Sequence, residues 1–202
     1  MQLIFVLTVI SLACCSLGLK LNSPGSWGRR STALLAKKKN SKASMDASVS
    51  QVGVVLLAGG KGTRMKAAMP KQFLPVLGRE VFLRSLDVFL SMGDVVSDIA
   101  IVLDESFRDD YAFLLEENPK IRWANPGIER QDSVFNGLNS IPDSCSIVAI
   151  HDAARPLVTV DEVTRCLKDG LEHGAAVLGV PMKATVKESK NGKFVRRTVP
   201  RK

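Results

Sequence analysis

The chain has 202 residues, 46% of them hydrophobic and 24% charged, which suits one α/β domain with a core of its own and is short for two. The formal net charge of +8 does not indicate a nucleic-acid partner: seven of the 28 basic side chains (Lys20, Arg29, Arg30, Lys37, Lys38, Lys39, Lys42) lie in residues 1–45, which hold no acid, leaving 21 bases against 20 acids in residues 46–202. A nucleic-acid-binding domain keeps its basic patch on the folded part, and here the excess sits in the leader.

Residues 1–48 read as a targeting leader. Met1–Leu19 carries no charged side chain and is about the shortest run that spans a bilayer. It thins into small residues near Ser16–Gly18, which favours a cleaved signal peptide over about residues 1–18, with a retained membrane anchor or plain secretion as alternatives. Residues 19–48 are rich in Ser, Lys, Arg and Ala, as in an organellar transit peptide. A signal followed by such a segment resembles the two-part leaders of plastid proteins behind extra membranes, so membrane contact is expected only during targeting. The fold is expected in residues 49–202. Cys14 and Cys15 belong to the leader; Cys145 and Cys166 lack metal-ligand spacing and read as small buried apolar side chains.

The stretch VVLLAGGKGTRMKAAMPKQF, Val54–Phe73, is a buried strand running into a turn with Gly59, Gly60 and Gly62, followed by Arg64 and Lys71. Glycine lets backbone N–H groups approach a phosphate chain, and the two cations neutralise its charge. Pro70 stiffens the loop that carries Lys71. Glu80–Met92 has the apolar spacing of a helix. Ile99–Leu103 suits a buried parallel strand, Asp109–Glu117 a helix ended before Pro119, and Ile121–Ala124 a short strand. Gly127–Gly137 is a loop entering a helix, with Asp132 or Ser133 as N-cap. Ser146–Ile150 is a buried strand with His151 and Asp152 at its C-terminal end. Thr159 and Glu162 form a capping box that opens a helix to about His173. A strand follows at Ala175–Val180. Asn191-Gly192 marks a hairpin within Lys183–Val199.

This alternation specifies a three-layer α/β/α, Rossmann-like fold with a mostly parallel sheet and a protruding β-hairpin arm. Ligands of such sheets bind beyond the C-terminal strand ends, where the glycine turn, the Arg130–Ser133 loop and His151–Pro156 all fall. The dinucleotide fingerprint fails at Met65. Asp104 lies too far along to be its ribose-binding acid. The P-loop pattern fails at Val55 and Gly62.

LAGGKGTRM with PKQF resembles the signature of nucleotidyltransferases that load a nucleoside monophosphate onto a phosphorylated sugar or polyol. With GIERQDSV, HDAARP and PMKATVK, the set resembles the 2-C-methyl-D-erythritol 4-phosphate cytidylyltransferase family over about residues 52–202. The resemblance implies CMP transfer from CTP to methylerythritol phosphate, releasing pyrophosphate, in isoprenoid-precursor synthesis. It implies Arg64 and Lys71 as transition-state cations, and nucleotide contacts at Ala58, Gly59, Gly60, Gly127, Ser133 and Asp152. Asp152 also matches the ligand of a divalent cation, Mg²⁺ by preference. Ser133 is a cytidine contact, a helix cap, or both. Arg155 is a phosphate-side cation or a partner for Asp152. Thr185 and Arg201 match acceptor contacts, and His151 reads as a packed residue rather than a base. The family pattern further implies a homodimer through the arm, about residues 181–201. Ribitol-phosphate cytidylyltransferases share part of this pattern and remain an alternative acceptor class. A non-catalytic nucleotide-binding protein of the same fold is a second alternative. Ala184 and Pro200 depart from the family pattern. Members continue past the position of Lys202 with a second metal carboxylate and a further lysine, so the domain is expected to be C-terminally incomplete and weakly active or inactive as it stands.

Overall fold

The structure, a computed structural model, describes residues 8–11, 49–60, 69–180 and 183–200. Arg64, Arg201 and most of the leader lie outside the described residues.

The centre is β2 (Val52–Leu57), whose VGVVLL sequence is buried along most of its length. It pairs in parallel with β5 (Val96–Val102) on one side and β7 (Ile147–Asp152) on the other, and β5 pairs in parallel with β6 (Ile121–Ala124). Side chains of β2 alternate between two cores, as the period of a strand requires. Val52, Val54 and Leu56 join one cluster, and Val55 joins the other. The first core takes α1 (Val81–Leu90) through Phe82, Leu83, Leu86 and Phe89, and α4 (Val160–His173) through Val163, Cys166 and Leu167. The second takes α3 (Arg130–Asn139) through Val134 and Leu138. Helices therefore cover both faces. Each fully buried side chain of this size contributes about 1.5–3 kcal/mol relative to exposure. Gly137 lets α3 settle on the sheet, because a Cβ there would run into Val55.

The six-stranded order is β6-β5-β2-β7-β1-β8, where β1 is Thr8–Ser11 and β8 is Ala175–Val177. β1 runs antiparallel to both neighbours. Those four residues belong to the stretch expected to stand outside the fold, yet their backbone fills the position between β7 and β8. β8 is also shorter than the expected 175–180.

Two other details depart from the sequence reading. The helix expected at 109–117 is two 3₁₀ turns, Glu105–Phe107 and Asp109–Tyr111, then α2 (Phe113–Glu117). The Asp104 carboxylate starts the first turn early by accepting from the Ser106 N–H at 3.1 Å and its hydroxyl at 2.7 Å. The N-cap of α3 is Glu129, not Asp132 or Ser133; Asp132 occupies the third helical position and accepts from the Glu129 N–H at 2.9 Å. The Thr159–Glu162 capping box forms as expected.

A small hairpin of β3 (Pro75–Val76) and β4 (Arg79–Glu80) leads into α1. The arm is a separate hairpin of β9 (Lys187–Glu188) and β10 (Arg197–Thr198). Asn191 and Gly192 sit inside its longer loop, where Asn191 Oδ1 accepts from the N–H groups of Lys193 at 3.0 Å and Phe194 at 3.2 Å. Cys145 and Cys166 are buried thiols, and burial pushes both upward in pKa.

Candidate active site

The parallel strands end in register. Leu57 stands opposite Val102 and Asp152, and Val102 opposite Ala124. The next backbone groups continue the pattern: Ala58 N–H donates to the Val102 carbonyl at 2.9 Å and Ala153 N–H to the Leu57 carbonyl at 3.0 Å. The glycine turn, the loop after β6 and the turn after β7 thus share one edge. At Gly59 a Cβ would stand 2.6 Å from Cβ of Pro126, so only glycine lets these loops touch, whereas a Cβ on Gly60 would meet nothing in the described structure. Gly127 is equally constrained, by Asp132.

Lys71 opens a 3₁₀ turn, Lys71–Phe73, that follows Pro70. Lys71 is exposed while its two successors are buried. Phe73 lies against Phe107 at 4.5 Å between ring centroids, stacks on Tyr111 at 5.8 Å and meets Phe82 edge-on at 5.7 Å. Gln72 reaches the glycine turn, donating to the carbonyls of Ala58 at 2.6 Å and Gly60 at 2.8 Å. The turn, Pro70, Gln72, Asp104 and Phe107 line one cleft.

Asp152 ends β7 between two guanidinium groups. Arg130 Nη2 donates to Oδ1 and Arg155 Nε to Oδ2, each at 2.8 Å. Burial pushes the Asp152 carboxyl up, but the hydrogen bonds and charges of Arg130 and Arg155 together outweigh it and hold it below the usual carboxylate range. It is therefore ionised at neutral pH. The backbone around it is fastened from below. Arg155 N–H closes a turn onto the Asp152 carbonyl at 3.1 Å, the Ser85 hydroxyl of α1 donates to the Ala153 carbonyl at 2.7 Å, and His151 Nε2 donates to the Arg155 carbonyl at 3.0 Å. His151 is 2% exposed and meets Phe89 edge-on at 5.3 Å. Burial pushes its pKa down, against the pull of the Arg155 carbonyl, and its buried Nδ1 has no hydrogen-bond partner among the described residues. Its surroundings are those of a neutral packed ring that carries its proton on Nε2.

Ser133 stands at the fourth position of α3. Its hydroxyl accepts from the Gly127 N–H at 3.0 Å and donates to the Glu129 carbonyl at 3.3 Å, tying the loop to the helix. Thr185 is exposed ahead of β9, and no hydrogen bond among the described residues joins it to the Asp152 cluster. The structure thus places Ala58, Gly59, Gly60, Gly127, Ser133, Asp152 and Arg155 on loops at one strand-end edge, ties the turn that carries Lys71 to the glycine turn through Gln72, and leaves Thr185 on the arm. Sequence reading put the Arg130–Ser133 loop at this edge and Gln72 in the PKQF motif but gave neither residue a role, and it missed Ser85, which had no signal beyond its polarity in apolar surroundings.

Among the described residues no group of three or more His, Cys, Asp or Glu could hold a metal. Asp152 is a carboxylate at this edge of the kind Mg²⁺ uses in sites with one or two carboxylates and a shell completed by phosphate oxygens and water. The carboxylate is ionised, and Arg130, with its side chain 56% exposed, has room to leave Oδ1.

A mostly parallel sheet with a glycine turn, an exposed lysine and an ion-paired aspartate at its strand ends is an α/β arrangement of the nucleotidyltransferase-like fold. Solved structures agree on the fold. The 4-diphosphocytidyl-2C-methyl-D-erythritol synthase of Anaerococcus prevotii superposes with a TM-score of 0.59 at 22% identity, over 74% of this chain and 64% of its own. A second structure bearing that synthase name gives 0.55 at 21%, over 74% and 68%. The family model described as IspD, 2-C-methyl-D-erythritol 4-phosphate cytidylyltransferase, matches residues 52–202, and the chain belongs to that family. The chloroplastic 2-C-methyl-D-erythritol 4-phosphate cytidylyltransferase of rice (Oryza sativa subsp. japonica) is 45% identical over 177 residues, 87% of this chain and 58% of its own length. The enzyme of the same name from Bacillus velezensis is 40% identical over 143 residues, 69% of this chain and 61% of its own. The chain therefore spans about three fifths of these relatives.

Proposed function

We infer that the chain is a cytidylyltransferase that moves CMP from CTP to 2-C-methyl-D-erythritol 4-phosphate, releasing pyrophosphate. The observation that carries this reading is the ionised Asp152, set between Arg130 and Arg155 on the same strand-end edge as the glycine turn and Lys71. An anionic phosphate needs no general base, so the chemistry asks for alignment and charge stabilisation. That accords with the neutral, packed His151.

In this reading Ala58, Gly59 and Gly60 hold the triphosphate through backbone N–H groups. Gly127 and Ser133 shape the cytidine side. An oxygen of the acceptor phosphate attacks the α-phosphorus in line, a new P–O bond forms, and the bond from the α-phosphorus to the bridging oxygen breaks. The electron pair leaves with pyrophosphate. Lys71, with Arg64, neutralises the charge that grows on the α-phosphoryl oxygens. Arg155, Thr185 and Arg201 hold the acceptor phosphate. Mg²⁺, held by Asp152, would supply charge neutralisation across the phosphate chain.

The arm gives the reading a quaternary form. A two-stranded polar hairpin is marginal alone in water, and Phe194 and Val195 are 76% and 61% exposed on it, which supports a homodimer in which the arm docks on a partner. Light scattering of a monomer at micromolar concentration would count against it. The chloroplastic name of the rice relative supports plastid delivery through the leader, residues 1–18 and 19–48. The N-terminal residue of mature protein from plastids tests this, and also reports whether β1 stays in the sheet.

The activity test is pyrophosphate release from CTP and methylerythritol phosphate, with identification of the CDP-alcohol. It is run on the chain as it stands and on one extended beyond Lys202 with the remaining part of the rice relative. Product from either chain upholds the assignment. Faster turnover of ribitol 5-phosphate would reassign the acceptor, and CTP binding without pyrophosphate from either chain would make this a nucleotide-binding protein without transfer activity.

A further inference from the structure

Three polar side chains are buried among the described residues: Gln72, Ser85 and His151. The last two fasten the Asp152 turn. Gln72 acts elsewhere. Its side chain is 4% exposed, and its amide nitrogen donates to the Ala58 carbonyl at 2.6 Å and to the Gly60 carbonyl at 2.8 Å. A primary amide carries two donor hydrogens on one nitrogen, which suits it to two carbonyls that stand two residues apart. The isosteric carboxylate of glutamate would present acceptors to both.

The consequence for the glycine turn is geometric. Ala58 is held through its N–H by the Val102 carbonyl at 2.9 Å and through its own carbonyl by Gln72. A trans peptide directs its N–H opposite to its C=O, so the Gly59 N–H is turned away from Gln72. The other end of the clamp is equally fixed. Gln72 is flanked by Lys71 and by Phe73, which is anchored among Phe82, Phe107 and Tyr111. One buried amide thus joins the backbone of the glycine turn to the backbone that carries Lys71.

We propose that Gln72 is a positioning residue that locks the glycine turn and Lys71 into one frame, so that a nucleotide's phosphates meet backbone N–H groups and ammonium in fixed register. For its ligand the proposal rests on the CTP reading; the clamp itself does not.

The test titrates CTP with Mg²⁺ into the full chain and into Gln72→Glu, Gln72→Met and Leu167→Val, the last a core change on α4 that lowers stability away from the site. Both Gln72 variants are expected to bind CTP about tenfold or more weakly, from two lost hydrogen bonds. Leu167→Val is expected to lower Tm with CTP affinity unchanged. CTP affinity in the Gln72 variants within about twofold of the parent, against the two bonds at stake, overturns the proposal. A second readout needs no variant that folds poorly: in ¹⁵N spectra of the parent the Gln72 carboxamide protons should exchange slowly with solvent, and exchange at the free-amide rate overturns the clamp. If the parent fails to bind CTP, the functional reading fails, and the exchange measurement still decides the role of Gln72.

Discussion

The strand-end edge and the arm are both rich in charge, and they hold it in different ways. At the edge, Asp152 lies between two guanidinium groups on a turn fastened by Ser85 and His151 from within the core. On the arm, Glu188 takes Arg196 at 2.9 Å and Arg197 at 2.5 Å, on a hairpin whose basic partners are 58% and 65% exposed. In the first the carboxylate's turn is fixed by packing, whereas in the second the pairs lie on a hairpin held by its own backbone bonds, such as Arg196 N–H to the Glu188 carbonyl at 2.7 Å. A charge fixed by a buried frame can be aligned with a reacting phosphate, whereas one on a self-paired hairpin acquires a fixed position only when something docks against it.

The sharpest way to break this contrast is Asp152→Asn. It removes the charge that both guanidinium groups share while keeping the shape, and CTP-dependent pyrophosphate release is expected to fall about 10²- to 10³-fold, read in a steady-state assay. Ser85→Ala comes next. It leaves the Ala153 carbonyl buried without its donor, a loss of about 1–3 kcal/mol in urea unfolding, with a fall in activity because the Asp152 turn loosens.

His151 gives a smaller, pH-dependent effect. Its folded pKa lies below the unfolded value, so the unfolded chain binds the extra proton first. The contribution to stability is complete above about pH 6.5 and is lost as pH falls from there toward the depressed folded value, by up to about 1.4 kcal/mol per pH unit. His151→Gln should flatten that part of a Tm-against-pH curve. At the small end, Glu188→Gln on the arm is expected to change stability by less than about 1 kcal/mol, and by less still in high salt. A larger loss, measured by thermal unfolding at low and high salt, would mean that the arm is as firmly framed as the edge.

Much of this contrast is legible in the sequence. The apolar runs at 54–57, 99–103 and 146–150 specify buried parallel strands, and that alone puts Asp152 and the glycine turn at one edge. Lys71 and Asp152 follow from local motifs. Arg130 and Gln72 are harder, because what matters is a partner fixed by the fold: Arg130 meets a carboxylate 22 positions away, and Gln72 meets carbonyls 14 and 12 positions away. No local spacing encodes such meetings. The 3₁₀ turns at 105–111 come from one aspartate's competition for backbone N–H groups, which helical periodicity does not register.

Nucleotide binding at the strand ends is the property on which every expected effect on activity depends. Calorimetric titration of the chain with CTP in Mg²⁺, beside ATP, GTP and UTP and beside Asp152→Asn, measures it. The expected result is selective CTP binding by the parent and affinity lower by about tenfold or more once the Asp152 carboxylate is gone. Equal binding of all four nucleotides, or CTP binding indifferent to Asp152, would contradict the account.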